Sequence, residues 1–418
     1  MNKSFLSTAA FLLAVVISGC ASPAGAIDTP PASSEQVGTV VAMTLQALMP
    51  TVTEAAETPT AVPEAVTTLL PHSLYFLGRD NQSLNQIYRI ARDGKTVTQL
   101  TFEPLGVVEY DISLADESIV YEMNNQLLLI NADGSNRRVL VEGIPTPDNA
   151  RGFYHPIFAP DGQTLAYSRS GINLYSLSTG AANLALEDEL INGPAFSGST
   201  IAYSPEKYSP DGTKLVIHML YADTSALAIY YPASNSLVRL SCAEDNYICD
   251  AGSWFHSDIE WAADSSSFYV AVPTATSVYA GDSLWKVDAA TGAVTSLTPS
   301  TTGDGLAIVP REIHHAPSGQ LYFFFGTYDL NSGFFDAPEL NLVRSDPDGV
   351  TNRTILRDEN FVLMREALWA QDASFAIVAS SPTPDWDQEG GVLELYYTDG
   401  TKEPVWLAPH GQQMKWGP

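Results

Sequence analysis

Cations are scarce in this chain of 418 residues: 20 Lys and Arg stand against 48 Asp and Glu, a formal net charge of −28. A surface of that sign repels phosphates, which argues against nucleic acid or anionic lipid headgroups as partners. It suits a solvated acidic exterior, bound cations or basic partners. Cysteine is scarcer still, at 3 residues. Outside the cytoplasm, Cys242 and Cys249 are spaced for a local disulfide. A metal site would need a second ligand pair that the sequence does not offer. Catalytic signatures are missing too. The chain has no Gly-x-Ser-x-Gly, no phosphate loop and no His-Glu-x-x-His. A protein that is not an enzyme is therefore expected, although a two-carboxylate glycosidase site leaves no linear signature.

What is present begins with an address. Lys3, a mostly apolar run from Phe5 to Ile17 and small residues after it read as an export signal over 1–20. The run is too short to cross a bilayer as a helix. Ile17-Ser18-Gly19-Cys20 resembles the bacterial lipobox, which makes Cys20 the expected lipidation site. Several acyl chains on one Cys anchor stably where one binds only marginally. Residues 21–72 are a linker rich in Pro, Thr and Ala, a composition that cannot bury enough surface to fold. Within it, Val37, Val40, Val41, Leu45 and Leu48 are spaced for a marginal helix over about 34–49, stopped by Pro50.

From Ser73 to Pro418 the chain repeats itself. One unit runs from His155 through Phe158-Ala159-Pro160-Asp161-Gly162, Leu165-Ala166-Tyr167-Ser168 and Ile172-Asn173-Leu174-Tyr175 to Gly180. Asp-Gly between two apolar runs marks a tight hairpin, because Gly accepts the positive φ of the turn. Taking Pro160 and its equivalents as markers gives positions 115, 160, 210, 263, 317, 371 and 418, spaced by 45 to 54 residues. This is slightly longer than a four-stranded propeller repeat of about 40–45 residues. The final Gln412-Gln413-Met414-Lys415-Trp416 is an opening strand with no continuation, and Leu74-Tyr75-Phe76-Leu77 is a second strand with no opening one. Together they make one unit. The expected fold is all-β, a seven-bladed propeller closed by the C-terminal strand. The extra strand-like echo at Pro194–Ser204 leaves eight blades open.

These repeats resemble the TolB-like β-propellers with WD40-like (PD40) repeats, through Pro-Asp-Gly after an aromatic and through Ile87-Tyr88-Arg89-Ile90, Asp93-Gly94 and Gln99-Leu100-Thr101. The resemblance covers about four fifths of the chain. TolB's own propeller has six blades. The family implies no single function, since its folds serve assembly proteins, peptidases and carbohydrate-active enzymes.

In a propeller each opening strand runs along the central channel and begins at one mouth. Two residues before the markers stand Ser113, Phe158, Tyr208, Trp261, His315, Trp369 and Trp416, a slot suited to packing between blades. Five and six residues before them the chain turns polar, which makes His155, Asp258, Arg311, Glu312, Arg365 and Glu366, with His314 nearby, the candidate binding mouth. Salt bridges that staple the blades are the plainer reading of these charges. His256, His155 and His314 stand seven, five and three residues before their markers. Two-residue steps along a strand differ by roughly 6.6 Å, so one three-His metal ring is not expected. Long loops on the same face offer Tyr279, Tyr328, Phe334, Phe335 and Trp386 as binding residues. Asp385, Asp387 and Glu389 alternate as a weak oxygen-ligand set for Ca²⁺. No other cofactor is expected.

The reading at this point is an exported, lipid-anchored propeller at the bacterial cell envelope, monomeric, recognising a protein or a glycan through the mouth or its loops. The alternative is a polysaccharide lyase or glycosidase at the same mouth.

Overall fold

The computed structural model describes residues 68–144, 154–191, 199–221, 225–242, 259–273, 282–329, 338–383 and 389–418. The signal, the linker up to residue 67 with its helix, Cys20, Cys249 and Asp258 lie outside them. So do Tyr279, Phe334, Phe335, Asp385, Trp386 and Asp387.

No helix occurs among the described residues; they are strands and turns. β1 (Leu74–Arg79), β2 (Asn85–Ile90) and β3 (Val97–Gln99) pair antiparallel in sequence order. A four-stranded sheet follows, formed by β4 (Glu109–Ile112), β5 (Ile119–Met123), β6 (Gln126–Ile130) and β7 (Arg138–Val141). The next holds β8 (Tyr154–Phe158), β9 (Thr164–Ser168), β10 (Gly171–Ser176) and β11 (Ala181–Glu187). A five-stranded sheet orders β12 (Glu189–Ile191), β13 (Ser199–Tyr208), β14 (Leu215–Leu220), β15 (Ser225–Tyr231) and β16 (Ser236–Arg239). Another combines β17 (Ser241–Cys242), β18 (Glu260–Trp261), β19 (Ser267–Pro273), β20 (Asp282–Asp288) and β21 (Ala293–Ser296), with β17 parallel to β21. Then come β22 (Ala307–His315), β23 (Leu321–Tyr328), β24 (Leu340–Ser345) and β25 (Thr354–Phe361). The last strands are β26 (Met364–Trp369), β27 (Phe375–Ser380), β28 (Gly391–Tyr397) and β29 (Val405–Trp416).

β29 joins the end of the chain to its beginning. Its first part pairs with β28, Val405 opposite Leu395 and Ala408 opposite Leu393. Its second part pairs with β1, Gln412 opposite Leu77 and Trp416 opposite Leu74. One strand therefore belongs to two sheets. Gly411 sits at the crossing, where an added Cβ would lie 2.5 Å from Leu393 Cδ1 and 2.9 Å from Phe76. The Pro194–Ser204 echo adds no separate sheet among the described residues, since Ser199–Ser204 is the first part of β13.

The strands form because their apolar residues alternate or run continuously between turn residues. β5, β9 and β14 are buried almost throughout. The hairpin turns are built by Asp carboxylates: Asp161 Oδ1 accepts from the Gln163 and Thr164 amides at 2.8 and 3.1 Å. Gly162, at φ +64, has the freedom the turn requires, and a Cβ there would strike Ala115 Cβ at 2.5 Å, the marker of the preceding unit. Apolar clusters fill the spaces between consecutive sheets. One joins Val120 and Leu127 to Phe158 and Leu165. Another joins Leu74 and Phe76 to Ile377 and Leu393.

Candidate functional site

The opening strands touch in a cycle: β4 against β8, β8 against β13, β18 against β22, β22 against β26, β26 against β29 and β29 against β4. Between β13 and β18, Trp261 Nε1 donates to the Lys207 carbonyl at 3.4 Å. The aromatic slot follows the same rule elsewhere. Trp369 Nε1 donates to the Glu312 carbonyl and Trp416 Nε1 to the Trp369 carbonyl, each at 2.7 Å. His315 fills its slot by stacking on Tyr269 at 5.2 Å.

These strands are not straight. Register shifts interrupt β8 between Tyr154 and Ile157, β13 between Pro205 and Lys207, and β22 between Arg311 and His314. Two more fall between Met364 and Glu366 in β26 and where β29 meets β1. His155, Glu312 and Gln413, each five residues before a marker, have φ of 48, 51 and 52°. Left-handed backbone at non-glycine residues costs energy and turns amides away from the ladder. Carboxylates on the neighbouring opening strand take up those amides. Glu109 Oε2 accepts from the His155 amide at 3.1 Å, and Asp111 Oδ2 from the Phe158 amide at 2.7 Å. Glu366 accepts from the Gln413 amide at 2.6 Å and from the Met414 amide. Among these polar positions His155, Glu312 and Gln413 are left-handed bulge residues, and Glu109 and Glu366 accept the amides of two of them.

Two imidazole–carboxylate groups result. In the first, His155 Nδ1 lies 2.6 Å from Glu109 Oε1 and His218 Nε2 lies 3.0 Å from Glu206 Oε2. The two rings stack with centroids 6.4 Å apart. Lys415 Nζ, 2.9 Å from Asp111 Oδ1, joins them. Burial would lower the Lys415 ammonium pKa, but Asp111, Glu109 and Glu206 together raise it. Burial pushes the Glu206 carboxyl up, and His218 and His155 together more than offset it, so the group is held below its ordinary range. The His155 side chain remains 35% exposed. In the second group, His314 Nδ1 meets Glu260 Oε1 at 2.8 Å and Nε2 meets the Gln371 carbonyl at 3.1 Å. Its ring stacks on Trp369 at 5.9 Å and is 10% exposed. Both ring nitrogens are engaged.

Arg311 pairs with Asp282 across the sheet boundary. Glu312 is buried at its bulge, and Arg365 and Glu366 are half-buried. Tyr328 closes β23 half-buried, and Glu389 is exposed. Among the described residues no group of three or more His, Cys, Asp and Glu is arranged to hold a metal ion. His218, Glu206, Lys415 and Asp111 were not anticipated. His218 lies on a second strand, apart from the opening-strand register, and a bulge cannot be seen in a strict two-residue alternation.

No protein-family model matches the chain, and no curated protein does. Solved structures share its fold. Puromycin hydrolase matches at TM-score 0.52 and 15% identity over 83% of this chain and 53% of its own. Oligogalacturonate lyase in complex with manganese matches at TM-score 0.50 and 12% identity over 80% of this chain and 84% of its own. TolB from Acinetobacter baumannii matches at TM-score 0.42 and 13% identity over 80% and 79%. The fold is of the propeller type shared with the first two of these. The expectation of a protein that is not an enzyme is corrected by the first two: a hydrolase and a lyase use this strand framework, so missing linear motifs do not argue against catalysis.

Proposed function

We propose that this chain is an exported propeller, lipid-anchored through Cys20 at the bacterial cell envelope, that binds a protein segment or a glycan at the mouth lined by His155 and His218. The observation that carries the reading is the convergence of His155, Glu109, His218, Glu206, Lys415 and Asp111 from five strands, with His155 still reachable from solvent. Convergent polar groups at a concave end are the usual form of a ligand site. Seven blades are the count we adopt. It is supported by the cycle of opening strands and by apolar clusters between each consecutive pair of sheets.

A second reading is favoured by one contact. Glu109 accepts from the His155 ring, an arrangement that orients an imidazole for proton transfer. Under it the mouth turns over a glycan, with His155 as acid or base. Calorimetric titration with cell-wall peptides and polysaccharide fragments tests the binding. Loss of heat in a His155→Ala, His218→Ala double variant of unchanged melting temperature supports the mouth; unchanged binding places the ligand elsewhere. Product formation by the wild type that vanishes in Glu109→Gln and His155→Ala would select the catalytic reading. The anchor is tested by labelling cells with radioactive palmitate, which a Cys20→Ser chain should not take up. The Cys242–Cys249 bridge belongs to the same proposal and is tested by thiol counting.

A further inference from the structure

A second concavity lies away from the imidazole cluster, where β29 passes from one sheet to the next. It has a volume of about 440 Å³ and lies between the Phe76–Tyr88 face of β1 and β2 and the Trp406–His410 segment of β29. That size falls among sites for small ligands, roughly 300–1,000 Å³. Its floor is aromatic: Phe76 and Tyr88 stack at 5.7 Å and 20°. Trp406 lines it while 58% exposed, so its ring face is open to a ligand.

The charge of the lining is the reverse of the chain's. Acidic residues outnumber Lys and Arg by 48 to 20 overall, yet no Asp or Glu lines this pocket, whereas Arg79 and Lys95 do, with the imidazole of His410 beside them. Among the described residues no carboxylate pairs with Arg79. Buried polar atoms are normally satisfied, but His410 Nε2 is buried with no hydrogen-bond partner among those residues. Burial, then the nearby positive charge of Arg79, holds the His410 imidazole below its ordinary range. Lys95 already interacts with a carboxylate, that of Asp93. The anion-seeking end is therefore the one formed by Arg79 and His410. A sugar would leave many hydroxyls facing carbon here, each at a desolvation cost, whereas a flat ring system would not.

We propose that this pocket binds a small aromatic anion, its rings between Trp406 and the Phe76–Tyr88 floor and its acidic group on Arg79 and His410. None of its lining residues belongs to the mouth, so the proposal stands independently of the mouth's function.

The probe is 8-anilinonaphthalene-1-sulfonate, titrated into the purified full chain and followed by its emission. N-phenyl-1-naphthylamine, the same rings without the sulfonate, is the neutral control. Saturable binding of one sulfonate probe per chain is expected. Arg79→Gln should weaken it about tenfold and leave the neutral probe unchanged, and Trp406→Ala should weaken both by about the same factor. His155→Ala should change neither. Both pocket substitutions are at exposed positions, and equal melting temperatures verify that the variants are folded. Absence of saturable binding overturns the proposal. So does binding insensitive to Trp406→Ala, and so does a response to Arg79→Gln that is the same for both probes.

Discussion

His155 and His314 are two imidazoles on opening strands of one cycle, each against a glutamate on the strand before it, and the fold uses them differently. His314 spends one nitrogen on Glu260 and the other on the Gln371 carbonyl, and one of its faces stacks on Trp369. His155 spends its Nδ1 on Glu109, stacks on a second histidine and keeps a third of its side chain in solvent. The difference comes from the bulge. In β8 the left-handed residue is His155 itself. In β22 the left-handed residue is Glu312, and His314, two residues on, has returned to the ladder opposite Tyr322. The same residue type thus becomes a packing element in one strand and a solvent-accessible group in the other.

The severest test of the framework that holds both is removal of residues 412–418. β1 then loses one of its two partner strands along with Met414 and Trp416. The expected loss is about 5 kcal/mol or more, enough to unfold many domains, read as a collapsed denaturation midpoint. A shift as small as that of a surface tail would remove ring closure from the account.

The comparison itself is sharpened by alanine at each histidine. His314→Ala leaves Glu260 largely buried beside Lys207 and strands a carbonyl, and should cost about 2–3 kcal/mol. His155→Ala gives up a partly exposed pair and should cost about 1 kcal/mol or less. Urea denaturation of both variants measures this, and equal costs would erase the distinction. Glu366→Gln falls between them, at about 1–2 kcal/mol, because one neutral oxygen replaces a carboxylate that accepts two amides.

The smallest effects are with pH. Burial, ahead of the opposing attraction of Glu260, holds His315 below its ordinary value of 6.5. The unfolded chain then binds a proton that the folded chain resists, so this stability is whole above pH 6.5 and fades below it. Glu206 and Glu260 are pushed up by burial but held below their ordinary 4.5, Glu206 by His218 and Glu260 by Lys207 and His314. Their contribution is whole above pH 4.5 and is lost as pH falls through the lowered values. Melting temperature should be level above pH 7, decline gently below 6.5 and fall steeply below 4.5. His315→Phe should flatten the gentle part, and an unchanged decline in that variant would assign it to other groups.

Much of the framework was legible because turn chemistry repeats: Asp161 and Asp211 with their glycines announce the same hairpin, and Trp261, Trp369 and Trp416 occupy the same slot. The shared strand was legible from Gln412–Trp416 for the same reason. The site was less so. A bulge adds one residue and leaves the residue types unchanged, so the heights inferred for His155 and His314 assumed strands straighter than they are. His218 reaches the cluster from a neighbouring strand of another sheet, a relation set by the packing of β8 against β13 and by no spacing in the chain.

The central claim, that the fold keeps His155 reachable and seals His314, is tested most directly by diethyl pyrocarbonate acylation of the native protein read by peptide mass spectrometry. The account predicts acylation at His155 well before His314, which should react only as the protein unfolds. Equal rates at the two, or faster reaction at His314, would contradict it.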